Sequence, residues 1–410
     1  MKIICLFASL TLFAGEQVTW MPAHATDMVP DDVIAMPAQQ NPLNAETQPV
    51  SMALPTTASL EAPAPFIARS REYHTSFSAA DLVGGVTLVT TDPGALVRIH
   101  AVNRDIDAVN QNAAIDPSRL VLVTERDQVF ERGSGFELLV TAEQLAQTDN
   151  PFPEGTSVFR LKRELGAGQF WLYADGLERN ESEWYMMHVL EKESATIASL
   201  QATQFEYLAG GKLTLIGALE TERGFWSASQ IQGQLIAPTG ETFPVSAFAR
   251  GGQLTISGQI PQITTTQGLW EVELDITGSL GGMAVRRNVR TAFGVGIATA
   301  RLNGQVSVNN GDDKTPRIVL GVQVGTPARY EARGVLYGTN EHGELQAFSV
   351  LDSAAVLQAG TSNLAWPIDL NMAAEAKLEA PFAVRDVMLI NQDNMQVMQR
   401  MAMGFAISRL

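Results

Sequence analysis

From about residue 66 onward the chain is cut into short runs rich in Val, Leu, Ile, Phe and Thr, each closed by Gly, Pro, Asp or Asn. Short apolar runs with β-branched and aromatic residues between turn formers are strands; they are too brief and too punctuated for helices. "GGVTLVTTDPGALVRIHAV" gives two of them, Val86 to Thr90 and Ala95 to Val102, around the turn signal Asp92-Pro93-Gly94. "RLVLVTERDQVFERGSGFELLV" gives two or three more, and alternation returns in "SVFRLK", "GQFWLYA" and "WYMMHVLEK". Only "TAEQLAQT", Thr141 to Thr148, reads as a helix, with Thr141 as its cap and Ala142, Leu145 and Ala146 on one face. The chain is therefore expected to be all-β.

A faint internal repeat divides the second half. One copy runs "KLTLIGALETERGFWSASQIQGQLIAPTGETFPVSAF" and the other "PRIVLGVQVGTPARYEARGVLYGTNEHGELQAFSV". Each has an aromatic followed two residues on by Ala (Trp226 to Ala228, Tyr330 to Ala332), then a Gly-Glu hairpin signal (Gly240-Glu241, Gly343-Glu344). Each leads on to aromatic-x-Val, at Trp270-Glu271-Val272 and Phe382-Ala383-Val384. In "WEVELDI" a strand turns Trp270, Val272, Leu274 and Ile276 to one face and Glu271, Glu273 and Asp275 to the other. Roughly seven such strands in about 100 residues is the size of an immunoglobulin-like sandwich. The expected order is three consecutive β-rich domains: 66–200, then two immunoglobulin-like β-sandwiches at 205–298 and 299–410.

The first residues read as a secretory signal: Lys2, an apolar run from Ile3 to Ala14, then Ala23-His24-Ala25, with cleavage expected after Ala25. Residues 1–25 are thus a signal peptide, and 26–65, rich in Pro, Ala, Gln, Asn and Thr without an apolar period, a flexible linker. No later run approaches the roughly 20 apolar residues of a membrane-spanning helix, so no membrane insertion is expected. The sole cysteine, Cys5, lies in the signal, so the mature chain has no thiol for disulfides, zinc or nucleophilic attack. The expected destination is secreted or periplasmic. A net charge of −16 makes nucleic acid a poor partner, because its affinity comes from Lys and Arg releasing counterions.

The chemistry is sparse. His188 stands three residues before Glu191 in "WYMMHVLEKES", a spacing that converges on one ion only if the segment is helical. Between strand-like runs the segment is extended, so His188 and Glu191 should point to opposite sides of a sheet. His74, His100 and His342 are isolated in sequence, and His100 shares its strand face with Arg98, which repels a cation. Neither Gly-x-Ser-x-Gly nor a phosphate-binding Gly-x-x-x-x-Gly-Lys occurs, and "RGSGFE" around Ser134 is a turn. "NNGDDKT", Asn309 to Thr315, gathers oxygen ligands but lacks the spacing of a calcium loop. Phe170 and Leu172 share one strand face, and Trp171 and Tyr173 the other; one of the two faces is core, and the other a sugar-stacking platform or a domain interface. No catalytic, metal or cofactor residue is assigned.

"DPGALVRIHAV", "FPEGTSVFRLKRELGAGQFWL" and "YMMHVLEKES" resemble an uncharacterised family of exported gammaproteobacterial proteins, the domain of unknown function 4785. "ARYEARGVLYGTNEHGELQAFSV" and "APFAVRDVMLINQD" resemble the sandwich modules at the C-termini of such proteins, and "GLWEVELDITG…VRRNVRTAFGV" is similar to immunoglobulin-like modules of large bacterial exported proteins. The resemblance implies three β-rich domains and export, and carries over no catalytic residue. The expected function is that of an exported, non-enzymatic protein that interacts with a protein or glycan. The alternatives are a secreted enzyme or protease-associated factor with its site near His188, and a structural spacer.

Overall fold

The computed structural model describes residues 18–409 apart from 25, 37–46, 56–65, 103–113, 150, 205, 263–267 and 311–314. Two strands, β1 (Val18–Trp20) and β2 (Gln48–Ala53), lie in the segment predicted as signal and linker. They are followed by β3 (Ala68–Ser70), β4 (Glu72–Ser78), β5 (Val86–Thr90), β6 (Leu96–Val102), β7 (Leu120–Thr124) and β8 (Val129–Phe130). Next come β9 (Phe136–Val140), β10 (Ser157–Leu161), β11 (Gly168–Ala174) and β12 (Trp184–Leu190). Strands β4 to β12 form two antiparallel sheets, ordered β4-β12-β6-β10-β9 and β5-β11-β7-β8. Between the sheets lies a core that includes Tyr73, Phe77, Val97, Ile99, Phe159, Leu172 and Tyr185.

Alternation sets the faces. In β12, Tyr185, Met187 and Val189 are fully buried, while Trp184, Met186, His188 and Leu190 are half-exposed on the far side. The predicted turn joins β5 to β6 through Gly94 at φ +81°, a left-handed conformation that favours glycine. The predicted helix is α2 (Ala142–Ala146), closed by a reciprocal cap between Thr141 and Gln144. A second helix, α1 (Ala79–Gly84), escapes sequence reading; Ser78 and Asp81 cap it in the same way.

The second unit contains β13 (Ile197–Ala202), β14 (Glu206–Leu208), β15 (Lys212–Thr221), β16 (Gly224–Phe225) and β17 (Ser227–Ile236). It continues with β18 (Thr242–Pro244), β19 (Ser246–Arg250), β20 (Gln253–Gln259), β21 (Trp270–Leu280) and β22 (Met283–Gly296). One sheet runs β19-β20-β15-β13-β3 with β16 beside β15; the other runs β14-β22-β21-β17-β18. With β13 as strand A, these orders read D-E-B-A and G-F-C, the arrangement of an immunoglobulin sandwich. Trp270, Val272, Leu274 and Ile276 are buried, and Glu271, Glu273 and Asp275 face the other way. Strand β3 pairs with β13, Ala68 opposite Leu200 and Ser70 opposite Ala198. The span 66–200 predicted for the first domain therefore runs past its core at both ends, because β3 and β13 belong to the second unit.

The third unit contains β23 (Ala300–Asn310), β24 (Pro316–Val324), β25 (Ala328–Thr339), β26 (Leu345–Leu357) and β27 (Gly360–Pro367). It ends with a short helix, α3 (Leu370–Glu375), then β28 (Glu379–Asn391), β29 (Gln396–Met401) and β30 (Phe405–Ile407). The sheet β23-β24-β27 faces a seven-stranded sheet, β1-β30-β28-β25-β26-β2, with β29 also on β28. The internal repeat is structural: Ala237 and Glu241, and likewise Asn340 and Glu344, close hairpins over Gly240 and Gly343. The predicted signal and linker contribute to this unit, since β1 and β2 cover the two edges of its larger sheet. Exposed backbone along an edge strand is what a returning segment can satisfy, whatever its side chains. Val50 and Met52 stay exposed on β2, so composition gave no sign of the pairing.

The units are joined by polar contacts. Between the second and third, the Glu206 carboxylate accepts from Val397 N at 3.3 Å, and Gln396 Nε2 donates to Val295 O at 3.2 Å. No helix among the described residues is long and apolar enough to cross a membrane.

Candidate functional site

Register brings together histidines that are isolated in sequence. His74 on β4 lies directly opposite His188 on β12, and His188 lies opposite Arg98 on β6. His100 lies two residues along β6, opposite Met186. All four polar side chains emerge from the half-buried face of the sheet, because each sits on the parity that alternates with core residues.

The contacts fix the imidazole. Arg98 Nη2 lies 2.9 Å from His188 Nδ1, and His188 Nε2 lies 3.0 Å from Glu72 Oε2. A guanidinium only donates, so Nδ1 is the acceptor and the ring proton sits on Nε2, directed at Glu72. The lone pair that a general base would use is thus already occupied. The His188 hydrogen bond holds the Glu72 carboxyl below its ordinary range, against the opposing effect of burial and with help from the Arg98 charge. Burial pushes the His100 imidazole down, and the charge of Arg98 adds to the effect. Arg98 also stacks on Phe152, 4.8 Å from the ring centre.

Glu191 lies elsewhere. One residue past β12 it turns inward, fully buried, and pairs with Arg287 of β22. His188 and Glu191 face opposite sides of the sheet and share no ligand or proton.

The second unit covers part of the histidine-bearing face. His74 N donates to Asn288 Oδ1 at 2.6 Å, and His74 Nε2 lies 3.5 Å from Glu273 Oε1. A groove remains along this seam, in two lobes that share His74, Glu273 and Asn288. One lobe, about 430 Å³, is bounded by Thr75, Ser76, Gln232, Gln234, Asp275 and Arg286. The other, about 410 Å³, is bounded by Arg69, Glu72, Arg98, His100, His188 and Arg290.

In the first lobe Arg286 Nη2 donates to Asp275 Oδ2 at 2.9 Å, and the guanidinium lies over Tyr73. Asp275 Oδ1 and Arg286 Nε are buried without a hydrogen-bond partner. Each is a buried polar atom whose desolvation is uncompensated, which the Nη2–Oδ2 ion pair beside it offsets in part.

The remaining sequence candidates do not join this site. His342 is exposed in its hairpin beside Glu341, and Ser134 lies in an exposed turn. The loop Asn309 to Thr315 lies largely outside the described residues. Phe170 and Leu172 are core, while Trp171 and Tyr173 are half-buried. The Tyr173 ring lies against Gly85, where a side chain would collide with it, so this tyrosine is packing material. Among the described residues no group of three or more His, Cys, Asp or Glu is placed to hold a metal ion. The groove residues of the second unit, Asn288 and Arg286 above all, escaped sequence reading because nothing local marks which strand of one sandwich meets which strand of another.

Family models match two parts of the chain. Residues 41–191 match the N-terminal domain of the domain of unknown function DUF4785, and residues 299–408 match its C-terminal domain. A crystal structure of a DUF4785 family protein from Legionella pneumophila superposes with a TM-score of 0.64 at 20% identity, covering 92% of this chain and 98% of that one. An alpha-2-macroglobulin from Salmonella aligns over 86% of this chain and 24% of its own, at 14% identity and a TM-score of 0.19. No curated protein matches.

Proposed function

The chain belongs to the DUF4785 family, and from that premise we propose that it is an exported, non-enzymatic glycan-binding protein whose ligand lies in the groove between its first and second units. The observation that carries this reading is the polar lining of one lobe of the groove, where Gln232, Gln234, Thr75 and Ser76 bring side-chain amides and hydroxyls together. A sugar hydroxyl both donates and accepts, so one polyhydroxylated ring matches amides and hydroxyls alike. Such groups suit hydroxyl recognition better than apolar or cofactor binding. Export is supported by Lys2, the apolar run from Ile3 to Ala14, and Ala23-His24-Ala25. Against an enzyme near His188 stands the occupied Nδ1.

A glycan and protein array probed with the purified chain tests the reading. Saccharide binding is expected, and Gln234→Ala should weaken it about tenfold, the cost of losing one good polar contact to a ligand. Binding to proteins alone, or to nothing above a scrambled control, overturns it.

A further inference from the structure

The charges of the groove are unevenly placed, and this decides what kind of saccharide fits. The chain as a whole carries −16. Yet the second lobe brings three guanidinium groups, those of Arg69, Arg98 and Arg290, to one end of the groove, against the carboxylates of Glu72 and Glu273. Both carboxylates are already engaged: Glu72 by His188, and Glu273 by His74, by Gln234 Nε2 at 3.1 Å and by Arg290 at 3.8 Å. Arg290 has a further partner in Glu271, at 3.0 Å.

Two further cations face the one carboxylate, Glu72, whose only partner among the described residues is the uncharged imidazole. The side chain of Arg69 is exposed and makes no hydrogen bond or ion pair with any described residue. Arg98 is hydrogen-bonded to an imidazole nitrogen, an acceptor without charge, and stacks on an aromatic ring. Its charge is offset only in part, by the Glu72 carboxylate across the imidazole. Arg98 comes from β6 of the first unit and Arg69 from β3, which pairs into the second. The two guanidinium groups thus line one lobe only because the two units meet there.

We propose that Arg69 and Arg98 form an anion subsite, so that the groove takes an acidic saccharide, its charged substituent at these arginines and its neutral hydroxyls at Gln232, Gln234, Thr75 and Ser76. The proposal rests on the glycan reading above and narrows it to uronic or sulfated sugars. Arginine suits such a group because its planar fork matches a carboxylate or sulfate in two parallel hydrogen bonds. The half-buried His100 beside Arg98, its imidazole pushed down by burial, adds a hydrogen-bonding partner.

Calorimetric titration of the full chain with tetragalacturonate, a sulfated tetrasaccharide and neutral cellotetraose tests it at low and high salt. At low salt an acidic tetrasaccharide should bind at least about tenfold more tightly than the neutral one, and the difference should shrink as salt screens the arginines. Arg69→Gln, on an exposed side chain, should bring acidic and neutral ligands to within about threefold of each other. Preference for galacturonate over sulfate, or the reverse, identifies the substituent. Equal affinity for acidic and neutral sugars overturns the anion subsite and leaves the glycan reading standing. Binding of none of the saccharides overturns the glycan reading itself, and inorganic sulfate binding as tightly as the tetrasaccharide overturns both.

Discussion

Arg287 of β22 and Glu191, just beyond β12, form a two-pronged ion pair at 2.9 and 3.0 Å with neither side chain exposed to solvent. The pair ties the first unit to the second directly beneath the groove. Every guanidinium donor is used: Nε reaches Thr196 O, Nη1 also reaches Arg286 O, and Nη2 also reaches Thr91 Oγ1 and Ser194 Oγ. Glu191 Oε2 accepts in addition from Thr91 N and Thr91 Oγ1. Burying two charges is unfavourable, and full satisfaction of their hydrogen bonds is what makes it tolerable.

Removing one partner leaves the other charged and dry. Glu191→Gln and Arg287→Met should each destabilise the protein by about 3–5 kcal/mol, read from chemical denaturation. The double variant Glu191→Met with Arg287→Met should recover much of that loss, because no unpaired charge remains. Additive losses in the double variant would show that the two residues act independently.

His188→Ala should cost about 1 kcal/mol, the scale of one part-buried hydrogen bond, and leave the fold intact. Its signature is at Glu72, whose carboxyl is held below the ordinary 4.5 chiefly by the His188 hydrogen bond. A depressed carboxylate contributes stability above its unfolded pKa and loses it as pH falls through the folded value. NMR titration should find the Glu72 carboxyl moving up toward 4.5 in the variant, with a shallower loss of stability in acid. An unmoved Glu72 would break the link.

The sheets were legible in the sequence wherever a strand has one wet and one dry face. "WEVELDI" and "WYMMHVL" declared their inward residues by alternation alone, and both Gly-Glu hairpins declared themselves by turn chemistry. The groove was not legible, for two physical reasons. Pairing His74 with His188 is a matter of register between strands more than a hundred residues apart, which no local pattern encodes. The unit boundary through Arg287, Asn288 and Glu191 depends on which outer faces meet, and "VRRNVR" reads as an ordinary solvated strand edge.

Asp352 of β26 should act in the opposite direction to Glu72. Burial, and then the neighbouring Glu331 carboxyl, push it from 3.8 up to about 6, with Arg333 opposing at 3.2 Å. A carboxyl whose folded pKa lies above its unfolded one favours the folded state most when protonated, below pH about 4, and that contribution is lost as pH rises through about 6. Asp352→Asn should therefore flatten the stability profile between those two values and raise the melting temperature at pH 7 relative to the parent. Thermal melts across that range check it; a variant that loses the same stability as the parent on the alkaline side sinks the assignment.

Trp20 stands in the region predicted to be removed as a signal, yet it packs edge-on against Phe405, ring centres 5.0 Å apart, and its indole donates to Gly304 O at 2.8 Å. Val18, Thr19 and Trp20 pair with Ile407, Ala406 and Phe405, and Met21 N continues the ladder to Gly404 O. Removing this strand uncovers the β30 edge and the face of the Phe405 ring that Trp20 covers. A chain that starts at Thr26 should thus melt lower than one that starts at Gln17, by several degrees for a loss of about 1–2 kcal/mol from one partly buried aromatic and its hydrogen bond. The loss should fall on the third unit: hydrogen exchange at β30 and β28 should accelerate, while the strands around Glu191 and Arg287 keep their protection. Equal melting of the two chains would mean that β30 holds its place without β1, and that the expected cleavage after Ala25 leaves the fold unchanged.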